Sequence, residues 1–167
     1  MFEEKRVPDR QVRAMQTETT VRVYLACSPA VADDALGKQA FERGGTTWLV
    51  PSFRLAAYLS GNGSKPGHER VLAVDLTREG FERLFREHVE WVPERDLDHT
   101  ALNFQAILIS SEPAREGMIA ISDVTPVMRD VAGLLATDQL HLAVKLVPHE
   151  PPYPLAEALA KAIDAAG

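Results

Sequence analysis

The segment HVEWVPERDLDH, residues 88–99, gathers side chains that could bind a divalent metal ion. Imidazole nitrogens and carboxylate oxygens are common metal ligands in proteins. The candidates are His88, Glu90, Glu94, Asp96, Asp98 and His99. They follow none of the ligand spacings that identify known metal sites, so the segment favours a solvated charged turn, and we predict no metal site.

Two further segments contain groups that enzymes use, without the surrounding pattern that the chemistry requires. The loop GNGSKPG, residues 61–67, lacks the G-x-x-x-x-G-K-[ST] spacing of a phosphate-binding loop and leads into a strand rather than a helix. Ser52 lacks the G-x-S-x-G pattern of a nucleophilic serine. We interpret the loop as a mobile surface segment and Ser52 as a helix-capping residue.

A polar pair interrupts the longest predicted strand, ALNFQAILIS, residues 101–110. Asn103 and Gln105 share one face of this strand with Ala101 and Ile107. Because a buried polar group needs a partner, the pair either faces solvent or lines a pocket, and the sequence leaves both open.

Apolar runs and breaker residues predict the elements that would position these side chains. Strands are expected over residues 21–27, 46–50, 71–76, 101–110 and 118–124, with a short extended segment at WVPER. Helices are expected over residues 29–38, after Ser52, near Thr77, from Thr125, after a cap at Asp138, and near the end of the chain. Gly44 and Gly45 separate the first helix from the second strand, and the last two strands are expected to form a hairpin.

The order of these elements predicts an α+β fold. Helices are mixed with a hairpin rather than alternating regularly with strands, so we expect a mixed or largely antiparallel sheet with flanking helices. A chain of 167 residues suits a single domain with one core. We expect that domain over residues 13–167, preceded by a flexible polar segment over residues 1–12.

Charge and cysteine content exclude several classes of protein. A net charge of −6 argues against general binding to nucleic acids or anionic membranes, although it is compatible with a local basic pocket. No run approaches about 20 apolar residues and no apolar signal segment begins the chain, so we expect no membrane association and a cytoplasmic location. Cys27 is the only cysteine, which excludes an internal disulfide, and we expect it to pack in the core.

Several linked motifs resemble those of one bacterial family. They are RAMQTETTVRVYLACSPAVADDAL, TTWLVPSF, GHERVLAVDLTREGFERLF, VEWVPERDL, ISDVTPVMRDV and VPHEPPYPL. Their order from Arg13 to Leu155 resembles a divergent, shortened member of the family catalogued as domain of unknown function 4291. The family has Tyr-Gln-Ala-Tyr in place of residues 24–27 and Arg-Met-Thr-Trp in place of residues 45–48. If those residues contact a ligand in relatives, the differences imply a changed substrate or a lost activity.

The succession of elements also looks like that of compact NAD-dependent ADP-ribosyltransferases. In such enzymes a basic or histidine residue on the first strand, a Ser or Tyr on the second and a later Glu or Gln hold NAD and stabilise the ribosyl cation. Carried over by position, the resemblance implies Arg22 or Tyr24, then Thr47 and Ser52, then Glu90 or Glu94. Arg22 and Glu90 are the catalytic candidates, Trp48, Arg95 and Gln105 complete the predicted ligand-binding set, and NAD is the candidate cofactor.

These residues also have purely structural interpretations. Arg22 suits an exposed ion pair, Trp48 suits packing at the rim of a core, and the charges around residues 90–95 suit a solvated turn. Three functions therefore stay open. They are a nucleotide-dependent transferase similar to ADP-ribosyltransferases, a non-catalytic ligand-binding module with the same cleft, and a partner-binding protein without a convergent polar pocket. The sequence does not specify the oligomeric state.

Overall fold

The computed structural model describes residues 8–42, 47–112 and 117–165, in which strands and helices follow one another along the chain. The strands are β1 (Thr20–Cys27), β2 (Thr47–Leu49), β3 (Arg70–Thr77), β4 (His88–Arg95), β5 (Ala101–Ser111) and β6 (Met118–Asp123). The helices are α1 (Pro29–Lys38), α2 (Phe53–Ser60), α3 (Arg78–Leu84), α4 (Thr125–Ala136), α5 (Leu140–Leu146) and α6 (Glu157–Ala162). None of the helices in these ranges is both long and apolar enough to span a membrane. The predicted separators Gly44 and Gly45, together with Thr46 and residues 1–7, lie outside the described residues.

The strands form two antiparallel sheets of three strands each. One sheet has the order β1-β3-β6 and the other β2-β5-β4. The sheets meet where Tyr24 of β1 pairs with Val50, the residue after β2, through two backbone hydrogen bonds of 2.7 and 3.0 Å. The predicted α+β class is therefore confirmed, and the strands are divided between two sheets.

Apolar side chains cover both faces of the β1-β3-β6 sheet. One face carries Val21, Val23 and Leu25 and packs against Phe81 of α3 within the first core. The other face carries Tyr24, which packs with Phe53 of α2 in the second core. Burial on both faces explains the nearly continuous apolar run of β3, since a strand covered on one side only would alternate.

Polar residues begin three of the helices as the sequence predicts. The side chains of Ser28, Ser52 and Thr77 accept hydrogen bonds from the backbone N–H groups of Val31, Leu55 and Gly80. Each bond pairs an N–H group that has no partner within the helix. The predicted role of Ser52 as a helix-capping residue is thus confirmed.

Two predictions about local structure are wrong. β5 and β6 do not form a hairpin, because β5 pairs with β2 and β4 while β6 pairs with β3. Asp138 does not cap α5, since its φ is +58° and the helix follows Gln139 without a side-chain cap. For β5, pairing with the distant β2 outweighs the local pattern, whereas Asp138 follows the end of α4, and its backbone N–H donates to the carbonyl of Leu135 at 3.2 Å.

A segment rich in proline, residues 148–154, lies along the N-terminal part of the chain. We call it the proline segment. The backbone N–H of Ala14 donates to the carbonyl of Pro151 at 3.2 Å, and that of Tyr153 donates to the carbonyl of Val12 at 2.8 Å. Val12 and Ala14 are buried in the first core. These bonds place the side chains of Arg13 and Glu150 in the same region of the molecule, beside the start of α2.

Candidate functional site

The start of α2 joins a serine to a buried carboxylate. The Ser52 hydroxyl donates to Glu94 Oε1 at 3.0 Å and accepts from the backbone N–H of Leu55 at 3.0 Å. Glu94 Oε1 also accepts from the backbone N–H of Arg95 at 2.9 Å. Ser52 and Glu94 are only 4% and 7% exposed, and burial raises the pKa of the Glu94 carboxyl. A negative charge at this position therefore depends on these donors and on neighbouring cations.

A second carboxylate reaches the same helix start from the proline segment. Glu150 Oε2 accepts from the backbone N–H of Phe53, the first residue of α2, at 2.9 Å. Removal from water raises the pKa of Glu150 to about 8, and the Glu94 charge contributes to the rise. Removal from water and the nearby like charge therefore act together against ionisation of Glu150.

Two arginines supply positive charge beside these carboxylates. The charges of Arg13 and Arg54 favour ionisation of both Glu94 and Glu150, which opposes the effect of burial on their pKa values. The Arg13 guanidinium lies 5.0 Å from the centre of the Phe104 ring and donates to Gln11 Oε1 at 2.8 Å. Burial lowers the pKa of Arg13, although the group stays cationic at neutral pH.

A groove of about 480 Å³ opens beside Arg13, Arg54 and Glu150. Its remaining wall is formed by Val144, Val147, Pro148, His149, Pro151 and Pro152. This volume lies within the range of small-molecule sites, and a few charged groups in a largely apolar wall are typical of such sites. A separate void of about 10 Å³, lined by residues including Ser52, Glu94 and Gln105, has room for a water molecule at most.

Tyr24 and Arg22 approach this region from β1. The Tyr24 ring packs edge-on against Phe53 with ring centres 5.7 Å apart. Its hydroxyl is fully buried and has no hydrogen-bond partner among the described residues. Burial, followed by the charge of Glu150, raises the Tyr24 pKa, which indicates that the hydroxyl lies near that carboxylate. Arg22 forms an ion pair with Asp75 on β3.

The other predicted site residues lie in different surroundings. Thr47 is half-buried on β2, and Trp48 next to it is exposed. Glu90 is exposed and contacts His88 at 3.2 Å, while Arg95 lies 4.0 Å from the centre of the Tyr58 ring. The structure thus brings Ser52 and Glu94 into contact and packs Tyr24 against Phe53, the residue after Ser52. Glu90 and Arg95 contact other side chains, and Trp48 is exposed on β2.

Asn103 and Gln105 of β5 lie in different environments. The sequence leaves open whether they face solvent or line a pocket, and each of the two is found. Asn103 is exposed to solvent. Gln105 lines the small void, and its side chain donates to Asp9 Oδ2 at 3.2 Å. Gln105 therefore faces the region of Ser52 and Glu94, and Asn103 does not.

Among the described residues, no group of three or more histidine, cysteine, aspartate and glutamate side chains is arranged to hold a metal ion. His88 and Glu90 contact each other, and Asp98 accepts from the backbone N–H of Thr100 in a local turn. Cys27 is buried in the first core, as expected, and burial raises its pKa to about 11. Its thiol is therefore protonated at neutral pH, which does not favour a nucleophilic role.

Sequence reasoning missed three residues of this site: Arg13, Arg54 and Glu150. Arg13 lies before the first predicted strand, and Glu150 lies in a segment interpreted only as a helix breaker. A signal was present, because the motifs RAMQTETT and VPHEPPYPL contain Arg13 and Glu150. A lone acidic residue among prolines, in a motif that resembles one of a family, is a reasonable candidate for a positioned side chain.

Comparison with known families supports the resemblance inferred from the motifs. The family model described as Domain of unknown function (DUF4291) matches residues 11–90, just under half of the chain. This range includes Arg13, Tyr24, Ser52 and Arg54, whereas Glu94 and Glu150 lie beyond it. No curated protein and no solved structure matches the chain.

Proposed function

We propose that this protein is a nucleotide-dependent transferase, similar to ADP-ribosyltransferases, that binds NAD in the groove beside the start of α2. The observation that carries the proposal is the buried hydrogen bond of 3.0 Å between Ser52 and Glu94, next to the cationic Arg13. Ser52 and Glu94 line the small void, and Arg13 lines both that void and the neighbouring groove, which is large enough for a ligand.

The charges are suited to transfer of a ribosyl group. Breaking the bond between nicotinamide and ribose leaves positive charge on the ribosyl carbon while nicotinamide departs as a neutral molecule. A carboxylate held in place can stabilise that positive charge, and we assign this role to Glu94. Arg13 and Arg54 would hold the phosphates of the nucleotide, because guanidinium groups pair well with phosphate oxygens.

The acceptor of the ribosyl group must lose a proton when it forms the new bond. Glu150 lies beside the groove, and its pKa of about 8 is close to neutral pH. A carboxyl group with such a pKa can both accept and donate protons under physiological conditions. We assign the role of general base to Glu150, with the proton of the acceptor passing to its carboxylate.

The proposal differs from the sequence-based one in the choice of acidic residue. The resemblance to ADP-ribosyltransferases allows either Glu90 or Glu94 as the acidic residue, and Glu90 is the catalytic candidate from the sequence. Glu94 is buried against Ser52, whereas Glu90 is exposed and contacts His88. We therefore favour Glu94. We also propose a cytoplasmic location, where the thiol of Cys27 stays reduced.

The test is to measure NAD binding by calorimetry and nicotinamide release by chromatography, in the wild type and in Glu94→Gln. We expect the wild type to bind NAD and release nicotinamide, and Glu94→Gln to release it at least about 100-fold more slowly with affinity changed less than about threefold. Glu90→Gln is the matched control and is expected to behave as the wild type.

Three results would count against the proposal or part of it. Absence of NAD binding in the wild type would reject it. Binding without release of nicotinamide would instead support the non-catalytic ligand-binding module. A defect in Glu90→Gln together with normal release in Glu94→Gln would move the catalytic role to Glu90.

A further inference from the structure

The side chain of Gln39 pairs with the backbone of β6 as a neighbouring strand would. Its Oε1 accepts from the backbone N–H of Ile121 at 2.9 Å, and its Nε2 donates to the carbonyl of the same residue at 3.0 Å. Where two antiparallel strands pair, a residue exchanges both of its backbone groups with one residue of the next strand. The amide of glutamine carries an acceptor and two donors, so it can reproduce that exchange.

These two bonds lie on the side of β6 that faces away from β3, which we call the β6 edge. The backbone N–H of Val124 donates to the carbonyl of Val71, so Val124 turns its backbone groups toward β3. Hydrogen-bonded and non-hydrogen-bonded positions alternate along an antiparallel pair, and Ile121 therefore turns its N–H and C=O outward. Within the described part of the chain, β6 is the last strand of its sheet, and a side chain occupies its edge.

The backbone at Gln39 indicates that the side chain itself is needed there. Gln39 follows α1 with a φ of +52°, in the left-handed region. Glycine is the usual residue at such a position, because it has no Cβ. Packing brings the end of α1 to this place, since Ala32 and Ala35 of α1 lie in the first core together with Ile121. The bonds to Ile121 offer a reason for glutamine at a position that suits glycine.

The first half of the β6 edge is irregular, and the second half is regular. Met118 and Ala120 pair with successive residues of β3, which leaves Ile119 between them as a bulge. A bulge bends an edge strand and hinders pairing with a further strand. Residues 121–123 pair with β3 in an unbroken register, so this half is the part that a further strand could use. The Gln39 amide lies on that half.

We propose that Gln39 blocks the β6 edge, and that β6 of a second copy of this chain pairs with this edge when the block is removed. Two β6 strands related by a twofold axis run antiparallel, so each presents the outward N–H and C=O of Ile121 to the other. An unpaired strand edge is a template for the same edge of another molecule. Such an assembly uses both edges and stops at two copies. The inference concerns assembly and does not depend on the proposed function.

The experiment compares the masses of the wild type and Gln39→Gly by sedimentation velocity over a wide range of protein concentration. Glycine suits the left-handed backbone, so this variant removes the side chain and preserves the end of α1. We expect Gln39→Gly to form an assembly of twice the wild-type mass as the concentration rises. Gln39→Asn tolerates the same backbone with a side chain shorter by one methylene group, and it is expected to associate in the same way. It supplies the test if Gln39→Gly does not fold.

Two further variants separate the β6 edge from the stability of α1. Ser28→Ala removes the cap at the other end of α1 and is expected to keep the wild-type mass. Ser122 is exposed on the regular half of β6. Ser122→Lys combined with Gln39→Gly is expected to restore the wild-type mass, because a lysine on an edge strand opposes pairing with a further strand.

Each measurement has a result that would overturn the inference. One is a wild-type mass for Gln39→Gly and Gln39→Asn at every concentration. Association of Ser28→Ala equal to that of Gln39→Gly would assign the effect to weakening of α1. Association that persists in the double variant with Ser122→Lys, or that continues beyond two copies, would place the contact away from the β6 edge.

Discussion

Arg22 and Asp75 face each other across β1 and β3 and form a two-pronged ion pair. Arg22 Nε lies 2.8 Å from Asp75 Oδ1, and Nη2 lies 3.0 Å from Oδ2. The two side chains are 22% and 27% exposed, so solvent screens the pair only in part. This pairing explains the position of Arg22 without a ligand. Experiments can therefore test its structural role in the ion pair separately from its predicted role in catalysis.

A double-mutant cycle with Arg22→Gln and Asp75→Asn is expected to give a coupling free energy of about 1–2 kcal/mol, because the pair is bidentate and partly buried. Urea denaturation of the four proteins measures it. The exposed pair of Lys38 and Asp34 is the control, with a coupling free energy expected to be much smaller because solvent screens it. Coupling as small as the control would show that Arg22 and Asp75 contribute nothing to each other's stability. If Arg22 also binds the ligand, Arg22→Gln will reduce nicotinamide release more than Asp75→Asn does.

The stability of the protein is expected to depend on pH through Glu150. Its pKa is raised from 4.5 to about 8, so the folded protein holds this proton more tightly than the unfolded chain. The contribution to the free energy of unfolding is fully present below about pH 4.5 and is lost as the pH rises to about 8, on the order of 2–4 kcal/mol. Urea denaturation between pH 5 and 8.5 measures this loss.

Comparison with Glu150→Gln isolates that contribution from those of other groups. The raised pKa of Glu94 acts in the same direction, and the lowered pKa of His99 acts in the opposite direction at acid pH. Both remain in the variant, so the difference between the two curves reports Glu150. Curves that run parallel from pH 5 to 8.5 would contradict a raised pKa at this residue.

Replacement of Ser52 by alanine is expected to cost about 2–3 kcal/mol of stability. The variant loses the cap of α2 and removes a hydrogen-bond donor from the buried Glu94. Ser28→Ala is the matched control, because Ser28 caps α1 through one exposed bond of 3.3 Å and should cost about 0.5–1 kcal/mol. Thermal and urea denaturation compare the two, and equal costs would mean that the bond to Glu94 adds no stability.

Gly117→Ala is expected to destabilise the protein by about 2–4 kcal/mol. Gly117 has a φ of +81°, and a Cβ there would lie 2.6 Å from Thr77 Oγ1 and 2.9 Å from Gly80 Cα. Gly133 within α4 is the control, since its Cβ would meet no atom within 4 Å and alanine should add about 0.5–1 kcal/mol. A stabilising effect of Gly117→Ala in urea denaturation would contradict this geometry.

Features that depend on neighbours in sequence could be predicted, and the pairing of strands could not. Ser52 was identified as a cap because a polar residue after Pro51 precedes an amphipathic stretch, which is a local signal. The apolar run of residues 71–76 predicts a strand, and β3 is found there, between β1 and β6. The partner of β5 is set instead by which strands complete the same sheet. That choice depends on packing among distant residues, which periodicity does not encode.

The candidate site likewise contains some residues that the sequence predicts and others that it does not. The sequence predicts Ser52 and Glu94 as site residues because their residue types and positions suit the chemistry of a family of transferases. Glu150 lies 56 positions beyond Glu94 in the numbering of the chain, in a segment without regular structure. Its hydrogen bond to Phe53 spans 97 positions, and no local pattern predicts such a contact.

Hydrogen exchange at the amides of Tyr24 and Val50 can report motion between the two sheets. Each residue donates its amide proton to the other's carbonyl, and Tyr24 and Val50 are both buried. Exchange of these two protons with deuterated solvent therefore requires the sheets to part at this point. A ligand that bridges α2 and the proline segment would slow that exchange, and the protection of two amides would report occupancy of a groove that neither residue lines.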